Sequence, residues 1–210
     1  IGFDEDGAVA AAEDQGINPF NQPFEFDFVA GVADGISYGI APIEGKAFVP
    51  LFTASQTVVV GAGRNGNGTS DRFAPGTALG YERYFFVGHG DIASIYDQYL
   101  EARGEPYGEI AGHVVEANTG EPVSGADVFV YRPGAEGPQS QFETDVHPLD
   151  ESPDGSFAGR LPPGDWELQV HQLGRPLGAR IPITVTEGET MKRFVIRKLF
   201  SKFLNSRNFV

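Results

Sequence analysis

The sequence predicts a mostly β protein of two β-sandwich domains, which are connected by one helix near residues 91–103. Three observations lead to this prediction. The 210 residues include 28 Gly and 15 Pro, a composition typical of turn-rich β structure. Short runs of alternating apolar and polar residues recur in both halves of the chain. One segment alone carries a convincing apolar stripe at helical spacing.

The first half of the chain, residues 1–104, contains a series of strand signals. Phe alternates with acidic residues over 24–29, as expected of a strand that is buried on one face. Further strands are predicted over 36–40, 47–52, 55–60 and 81–87, with a turn at 31–35 and a Gly- and Asn-rich loop over 61–76. These elements are enough for one β-sandwich domain.

The predicted helix covers residues 91–103. Its apolar residues recur at the spacing of a single helical stripe: Ile92, Ile95, Tyr96, Tyr99 and Leu100. Asp91 is a suitable N-cap, and Gly104 is a suitable residue to end the helix. We therefore place the boundary between the two domains at 103–108.

The second half, residues 108–198, shows only strand and turn signals. Strands are predicted over 109–116, 126–132, 156–160, 165–172, 180–186 and 192–197. Short strands with turn residues at this spacing favour a β-sandwich. The tail, residues 199–210, is basic and has apolar residues near helical spacing. We interpret it as a terminal element that docks on this chain or on a following domain; the alternative is a basic amphipathic helix.

Charge and composition exclude several functions. All 29 Asp and Glu residues lie before residue 191, whereas residues 191–210 contain six Lys and Arg and no acid. The acidic body would repel phosphate backbones, which disfavours nucleic-acid binding. Without Cys there can be no disulfide or thiolate metal site, and no apolar run is long enough for a membrane span. The absence of Cys fits a cytosolic protein and also many exported bacterial proteins, and we favour an extracellular or periplasmic location in a bacterium. Because the chain opens in the middle of a pattern, we expect a processed or excised piece of a longer protein.

Several motifs in residues 108–197 match one known family. They are Gly112-His113-Val114, Thr119-Gly120-Glu121-Pro122-Val123, Gly125-Ala126-Asp127-Val128, Thr144-Asp145, Asp154-Gly155-Ser156-Phe157 and Leu161-Pro162-Pro163-Gly164-Asp165-Trp166. These motifs resemble the carboxypeptidase-regulatory-like, transthyretin-like family of seven-stranded, Ig-like sandwiches. The resemblance implies a structural or adhesive module beside another domain, usually without catalytic activity. One departure from the family pattern is the insertion at 146–153.

Two segments of the first half, 24–38 and 82–94, have a resemblance of their own. They are similar to the region that precedes the regulatory-like module in large bacterial metallohydrolases with a polymerase-and-histidinol-phosphatase (PHP) type catalytic domain. This resemblance implies a β-sandwich similar to part of the galactose-mutarotase-like, or supersandwich-like, fold. It also implies that the chain is the accessory part of a hydrolase-like protein, with neighbouring domains of that protein as its partners.

Two motifs typical of enzymes occur in contexts that do not support catalysis. Residues 35–39 match the G-x-S-x-G nucleophile elbow, but Pro42 prevents the helix that must follow the Ser. Residues 61–66 match the dinucleotide-binding G-x-G-x-x-G, but a further Gly- and Asn-rich loop replaces the required helix. The four His residues show no metal-binding spacing. We therefore expect no catalytic residues, no cofactor and no enzyme activity in this chain.

Two binding sites remain as hypotheses. An acidic loop could supply oxygen ligands to calcium, from Glu143, Asp145, Asp150 and Asp154. A carbohydrate-binding module would use exposed aromatic or polar side chains, for which the candidates are Tyr84, His89 and Trp166. Tyr81 and Phe85 are further aromatic residues that could stack on sugar rings. A third possibility, a mutarotase-like carbohydrate enzyme, would require Glu82 and His89 in one cleft. The leading interpretation is a non-catalytic structural or interaction region.

Overall fold

The part of the chain that the structure describes is mostly β and contains one helix, as the sequence predicts. The computed structural model describes residues 2–4, 7–9, 24–49, 51–54, 57–60, 74–78, 80, 82–146, 153–174 and 177–198. The strands before the helix α1 (Ala93–Arg103) are β1 (Gly2–Asp4), β2 (Gly7–Val9), β3 (Phe24–Phe26), β4 (Phe28–Ala33), β5 (Ile36–Pro42), β6 (Ala47–Val49), β7 (Leu51–Ala54), β8 (Thr57–Val60) and β9 (Arg83–Gly88). The strands after it are β10 (Gly108–Glu116), β11 (Asp127–Tyr131), β12 (Ser140–Glu143), β13 (Ser156–Leu161), β14 (Gly164–His171), β15 (Ile181–Val185) and β16 (Thr190–Lys198).

The first half is organised around a five-stranded antiparallel sheet. Its strand order is β2-β1-β4-β5-β9, and two small pairs, β3–β6 and β7–β8, lie outside it. The helix α1 packs on the sheet against β5 and β9. Its position explains the small residues in the sheet, because Gly39 faces Ile95 and leaves room for that side chain.

The turn between β4 and β5 is tighter than predicted. The sequence analysis placed it at 31–35, but β4 continues to Ala33 and the turn consists of Asp34 and Gly35. Both turn residues have positive φ, 52° and 73° respectively. Two consecutive left-handed residues form a type I′ turn, whose twist matches that of the strands it connects. The Asp-Gly pair, rather than the neighbouring Gly31, determines the register of this hairpin.

The helix begins and ends for different local reasons. It starts at Ala93, two residues later than predicted, and the carbonyl of Ile92 accepts its first backbone hydrogen bonds. Asp91 still supports the helix start, since its Oδ1 accepts a 2.9 Å hydrogen bond from the Ser94 N–H. Gly104 ends the helix as predicted, with φ of 65° and a hydrogen bond to Glu101, while Glu105 donates to the Leu100 carbonyl. This pair of bonds is a Schellman motif.

The second half is a seven-stranded sandwich. One sheet has the order β13-β10-β16 and the other β12-β11-β14-β15. Within the sandwich, β16 runs parallel to β10, and the other pairs are antiparallel. The alternation of Trp166, Leu168 and Val170 correctly predicts the face of β14 that is buried.

One strand of the sandwich escapes prediction. The sequence Ser140-Gln141-Phe142-Glu143 contains a single apolar residue and no strand is predicted there, yet it forms β12 beside β11. The burial of Phe142 accounts for this strand, because its ring is fully buried and packs on Phe157 at 5.4 Å.

The buried core continues from the five-stranded sheet through α1 into the sandwich. It includes Phe28 of the sheet, Ile95 of the helix, and Val128 and Trp166 of the sandwich. The helix has β5 and β9 on one side and β12 and β13 on the other. The division into 1–104 and 108–198 stays a prediction, and the tail 199–210 lies outside the described residues.

Candidate interaction surface

The five-stranded sheet has one face beneath α1 and an opposite face that carries large exposed apolar side chains. Cross-strand pairing places Tyr38 opposite Val87, and Ile40 opposite Phe85. Four side chains of this opposite face are exposed: Phe85 by 65%, Val87 by 52%, Tyr38 by 43% and Ile36 by 41%. The rings of Tyr38 and Phe85 lie 6.2 Å apart. We call these four residues the open face.

Strand β5 carries small side chains on the face beneath α1 and large apolar side chains on the exposed face. Along β5, the buried positions are the small residues Ser37, Gly39 and Ala41, whereas Ile36 and Tyr38 are exposed. A sheet with one face in water normally carries polar residues on that face. A contiguous set of exposed apolar side chains is typical of an interaction site. The open face is therefore the candidate functional surface.

The edge of the sheet beside the open face is partly capped. Strand β9 is the last strand of the five-stranded sheet on this side. The side-chain amide of Gln98 donates a 2.9 Å hydrogen bond to the Val87 carbonyl and a 2.8 Å bond to the Ser94 carbonyl. An edge strand attracts further strands through its unpaired backbone groups. Because Gln98 occupies one of these groups, the face rather than the edge is the better candidate for binding.

The structure does not bring the three predicted ligand residues together. Tyr84 lies on the helix side of the sheet, where its ring stacks on Phe86 and its hydroxyl donates to the Ala102 carbonyl at 3.3 Å. His89 is exposed beyond the other end of β9. Trp166 is fully buried in the sandwich, so it offers no exposed ring face to a sugar.

Among the described residues, the exposed aromatic side chains are those of Phe85, which is one of the predicted candidates for sugar stacking, and Tyr38, which is not. The run Tyr84-Phe85-Phe86-Val87 is apolar at every position, so its own pattern cannot show which side chains face the core. A usable signal existed in β5. The small residues at positions 37, 39 and 41 mark the side on which another element packs closely, which leaves Tyr38 on the opposite side.

The Ser of the G-x-S-x-G motif has a structural role. Ser37 lies within β5, as the sequence analysis predicts, and is fully buried. Its hydroxyl oxygen lies 3.0 Å from that of Ser94 and accepts a 3.3 Å hydrogen bond from the Gly90 N–H. These contacts connect β5 to the start of α1. The G-x-G-x-x-G motif at 61–66 lies outside the described residues.

The acidic residues proposed as calcium ligands include one that organises a turn. Oδ1 of Asp145 accepts hydrogen bonds from three backbone N–H groups, those of Asp154, Gly155 and Ser156, at 3.1, 2.9 and 3.2 Å. Burial and the nearby carboxylates of Asp127 and Asp91 raise the pKa of Glu143. Over the ranges that the structure describes, no three His, Asp or Glu residues converge on a possible metal position. Asp150 lies outside these ranges, and calcium binding stays a prediction.

Replacing Asp145 with alanine should lower the free energy of unfolding by about 2 kcal/mol, because backbone N–H groups of the turn lose their acceptor. The matched control is Asp154→Ala, which removes the acceptor Oδ1 of one exposed hydrogen bond and should cost less than about 0.5 kcal/mol. Urea unfolding measures both. Equal losses in the two variants would contradict the role of Asp145 in the turn.

Calcium binding has a separate test. If calcium does not change the melting temperature of the native protein, calcium binding is excluded.

Comparisons with known proteins give distant similarities in structure. No family model matches the chain, and no curated protein matches it. A DUF3823 family protein from Parabacteroides merdae is 14% identical, with a TM-score of 0.32, over 44% of this chain and 46% of that chain. GBS52, the minor pilin of Streptococcus agalactiae, is 16% identical, with a TM-score of 0.35, over 81% of this chain and 62% of that chain. Hydroxyquinol 1,2-dioxygenase from Pseudomonas putida is 16% identical, with a TM-score of 0.26, over 40% and 38%.

This chain thus spans less than two thirds of the length of each of these proteins. The described part of the chain contains no helix with the length and apolar character needed to cross a membrane.

Proposed function

We propose that this chain is a non-catalytic interaction region of a larger bacterial hydrolase-like protein, and that its open face binds a neighbouring domain of that protein. The observation that carries the proposal is the exposure of Ile36, Tyr38, Phe85 and Val87 on one sheet face. Polar side chains in these positions would satisfy a solvated sheet, whereas large apolar ones stabilise a complex through burial.

The resemblances in sequence support the same role. Residues 108–197 resemble the carboxypeptidase-regulatory-like family, and the seven strands in two sheets are what that resemblance implies. The similarity of the first half to the accessory region of PHP-type metallohydrolases supplies the partner, a domain further along the same protein. The negative net charge of the chain does not disfavour binding of this partner, because the four residues of the open face are uncharged.

Photochemical crosslinking in the intact longer protein tests the proposal. A benzophenone amino acid at position 85 should crosslink to another domain of the same protein. The matched control is position 173, where Leu173 is 92% exposed but lies at a turn after β14, away from the open face. Crosslinks of equal yield from both positions, or none from position 85, would refute the proposal. Crosslinks between two copies would assign the face to self-association.

Replacing Phe85 with serine should separate binding from stability. Because the side chain is largely exposed, the free energy of unfolding of the isolated chain should change by less than about 0.5 kcal/mol. Binding to the neighbouring domain, measured by calorimetry, should weaken at least about tenfold, since a central aromatic side chain contributes strongly to an interface. Unchanged affinity in a folded variant would place the interface elsewhere.

Carbohydrate binding is a second candidate function, favoured by the exposed rings of Tyr38 and Phe85 on one sheet face. The flanking Ile36 and Val87 side chains supply no hydrogen bonds to sugar hydroxyls, so a protein partner fits the face better. A glycan array decides between the two: specific binding that is lost in both Tyr38→Ser and Phe85→Ser would favour the carbohydrate. The mutarotase-like enzyme has no such support, because Glu82 and His89 flank β9 at opposite ends, about 20 Å apart.

A further inference from the structure

A carboxylate of helix α1 is partly buried where the helix meets the edge strand of the sandwich. Oδ1 of Asp97 accepts a 2.7 Å hydrogen bond from the backbone N–H of Arg160 in β13. These two residues are 63 positions apart and belong to the two halves of the chain. The carboxylate therefore lies in the contact that fixes α1 on the sandwich.

Gly159 allows the strand backbone to close over this carboxylate. A Cβ atom at position 159 would lie 3.3 and 3.4 Å from the two carboxylate oxygens of Asp97, and 2.5 Å from the Phe142 ring. The close approach removes water from the carboxyl group, and loss of water disfavours its charged form. The neutral carboxyl group of Asp97 can accept the same hydrogen bond from the Arg160 N–H without the free-energy cost of burying a charge.

The hydrogen bond and the positive charge of Arg160 lower the pKa of Asp97 and offset part of the loss of water, but burial has the larger effect. The Arg160 guanidinium forms a 3.0 Å ion pair with Glu101 and lies 4.5 Å from the centre of the Tyr107 ring, so other groups engage it. Acidic groups surround the site: Asp91 just before α1, Glu101 from α1, Glu109 from β10, and Glu143 from β12 beside Asp91. On the other side of the helix, β5 and β9 contribute Ser37, Gly39 and Phe86, which carry no charge.

We propose that the contact between α1 and β13 is a proton-sensitive joint, which is tight when Asp97 is neutral and loosens when Asp97 is ionised. Burial raises the pKa of Asp97 from its ordinary value of 3.8 to about 7, and the negative charges of Asp91 and Glu109 act in the same direction. A raised pKa means that the closed joint binds a proton more tightly than the open one. Closure is thus favoured at low pH and loses this advantage as the pH rises from about 4 through 7.

Hydrogen exchange of the intact chain at pH 5 and pH 8 tests the joint, after correction for the intrinsic chemical exchange rate. Opening of the amides in 93–103 and 156–161 should increase about tenfold or more at the higher pH. In Asp97→Asn the change should be less than about twofold, because asparagine keeps the acceptor oxygen and cannot ionise. Carbon NMR of the Asp97 carboxyl group should show a pKa between about 6 and 8.

The control variant is Glu121→Gln, which neutralises an exposed acid in a turn of the sandwich and should keep the native response to pH. A measured Asp97 pKa below about 5 would overturn the proposal. The same response to pH in Asp97→Asn as in the native chain would also overturn it, because other groups would then cause the opening.

Discussion

Replacing Gly39 with valine will lower the free energy of unfolding by about 3 kcal/mol. A Cβ atom at position 39 would lie 2.3 Å from the Cγ2 atom of Ile95 and 3.3 Å from the Phe86 ring. Ile95 is fully buried between the helix and the sheet and cannot move toward solvent. The added side chain must therefore push α1 away from β5, which also disturbs the core that continues into the sandwich. Urea unfolding followed by circular dichroism measures the loss.

Gly31→Val is the matched control for this experiment. Gly31 lies in the neighbouring strand β4 and pairs with Tyr38, so both residues are on the face of the sheet that points away from α1. No atom lies within 4 Å of the position that its Cβ would occupy, and its backbone does not need glycine. Because valine favours strands, the stability should change by less than about 0.5 kcal/mol. Equal losses in both variants would show that the sheet is sensitive to any added side chain, and that α1 is not seated on Gly39.

Local sequence patterns predicted the elements whose cause is local. The αL residue Gly104 ends α1 because few other residues adopt its φ of 65°, and that preference is visible in the sequence. Alternation of Trp166, Leu168 and Val170 identified the buried face of β14, because one face of that strand is apolar and the other is polar. In these elements the type of each residue reflects its own backbone conformation or burial.

Features that depend on distant partners could not be predicted in this way. Strand β12 exists because Phe142 fills a place in the core and its backbone pairs with β11, a contact that its four residues do not reveal. The open face depends on which side of the sheet α1 covers. Likewise, Asp97 has an ordinary sequence context, and its pKa is raised by burial against strand β13, whose Arg160 lies 63 positions later. The candidate site residues were predicted from their residue types. Their roles depend on their burial, which distant parts of the chain determine.

Replacing Trp166 with alanine should lower the free energy of unfolding by about 4 kcal/mol. The side chain is fully buried, its indole N–H donates a 2.8 Å hydrogen bond to the Pro162 carbonyl, and the Arg132 guanidinium lies 3.6 Å from the centre of its ring. Truncation leaves a cavity in the sandwich and exposes a carbonyl without its donor. Circular dichroism is the appropriate probe, because the chain contains one Trp and the variant loses its fluorescence.

Two further variants separate the contributions of the indole from those of exposed apolar surface. Trp166→Phe keeps a ring beneath Arg132 but lacks the N–H donor, so it should lose about 2 kcal/mol, between the native chain and the alanine variant. Leu173→Ala removes a side chain that is 92% exposed and should change the stability by less than about 0.5 kcal/mol. A loss below about 1 kcal/mol in Trp166→Ala would mean that the ring is not part of the core, and would restore Trp166 as a candidate for sugar stacking. A loss near 4 kcal/mol would leave Tyr38 and Phe85 as the aromatic residues to test for carbohydrate binding, since both rings are exposed on the five-stranded sheet.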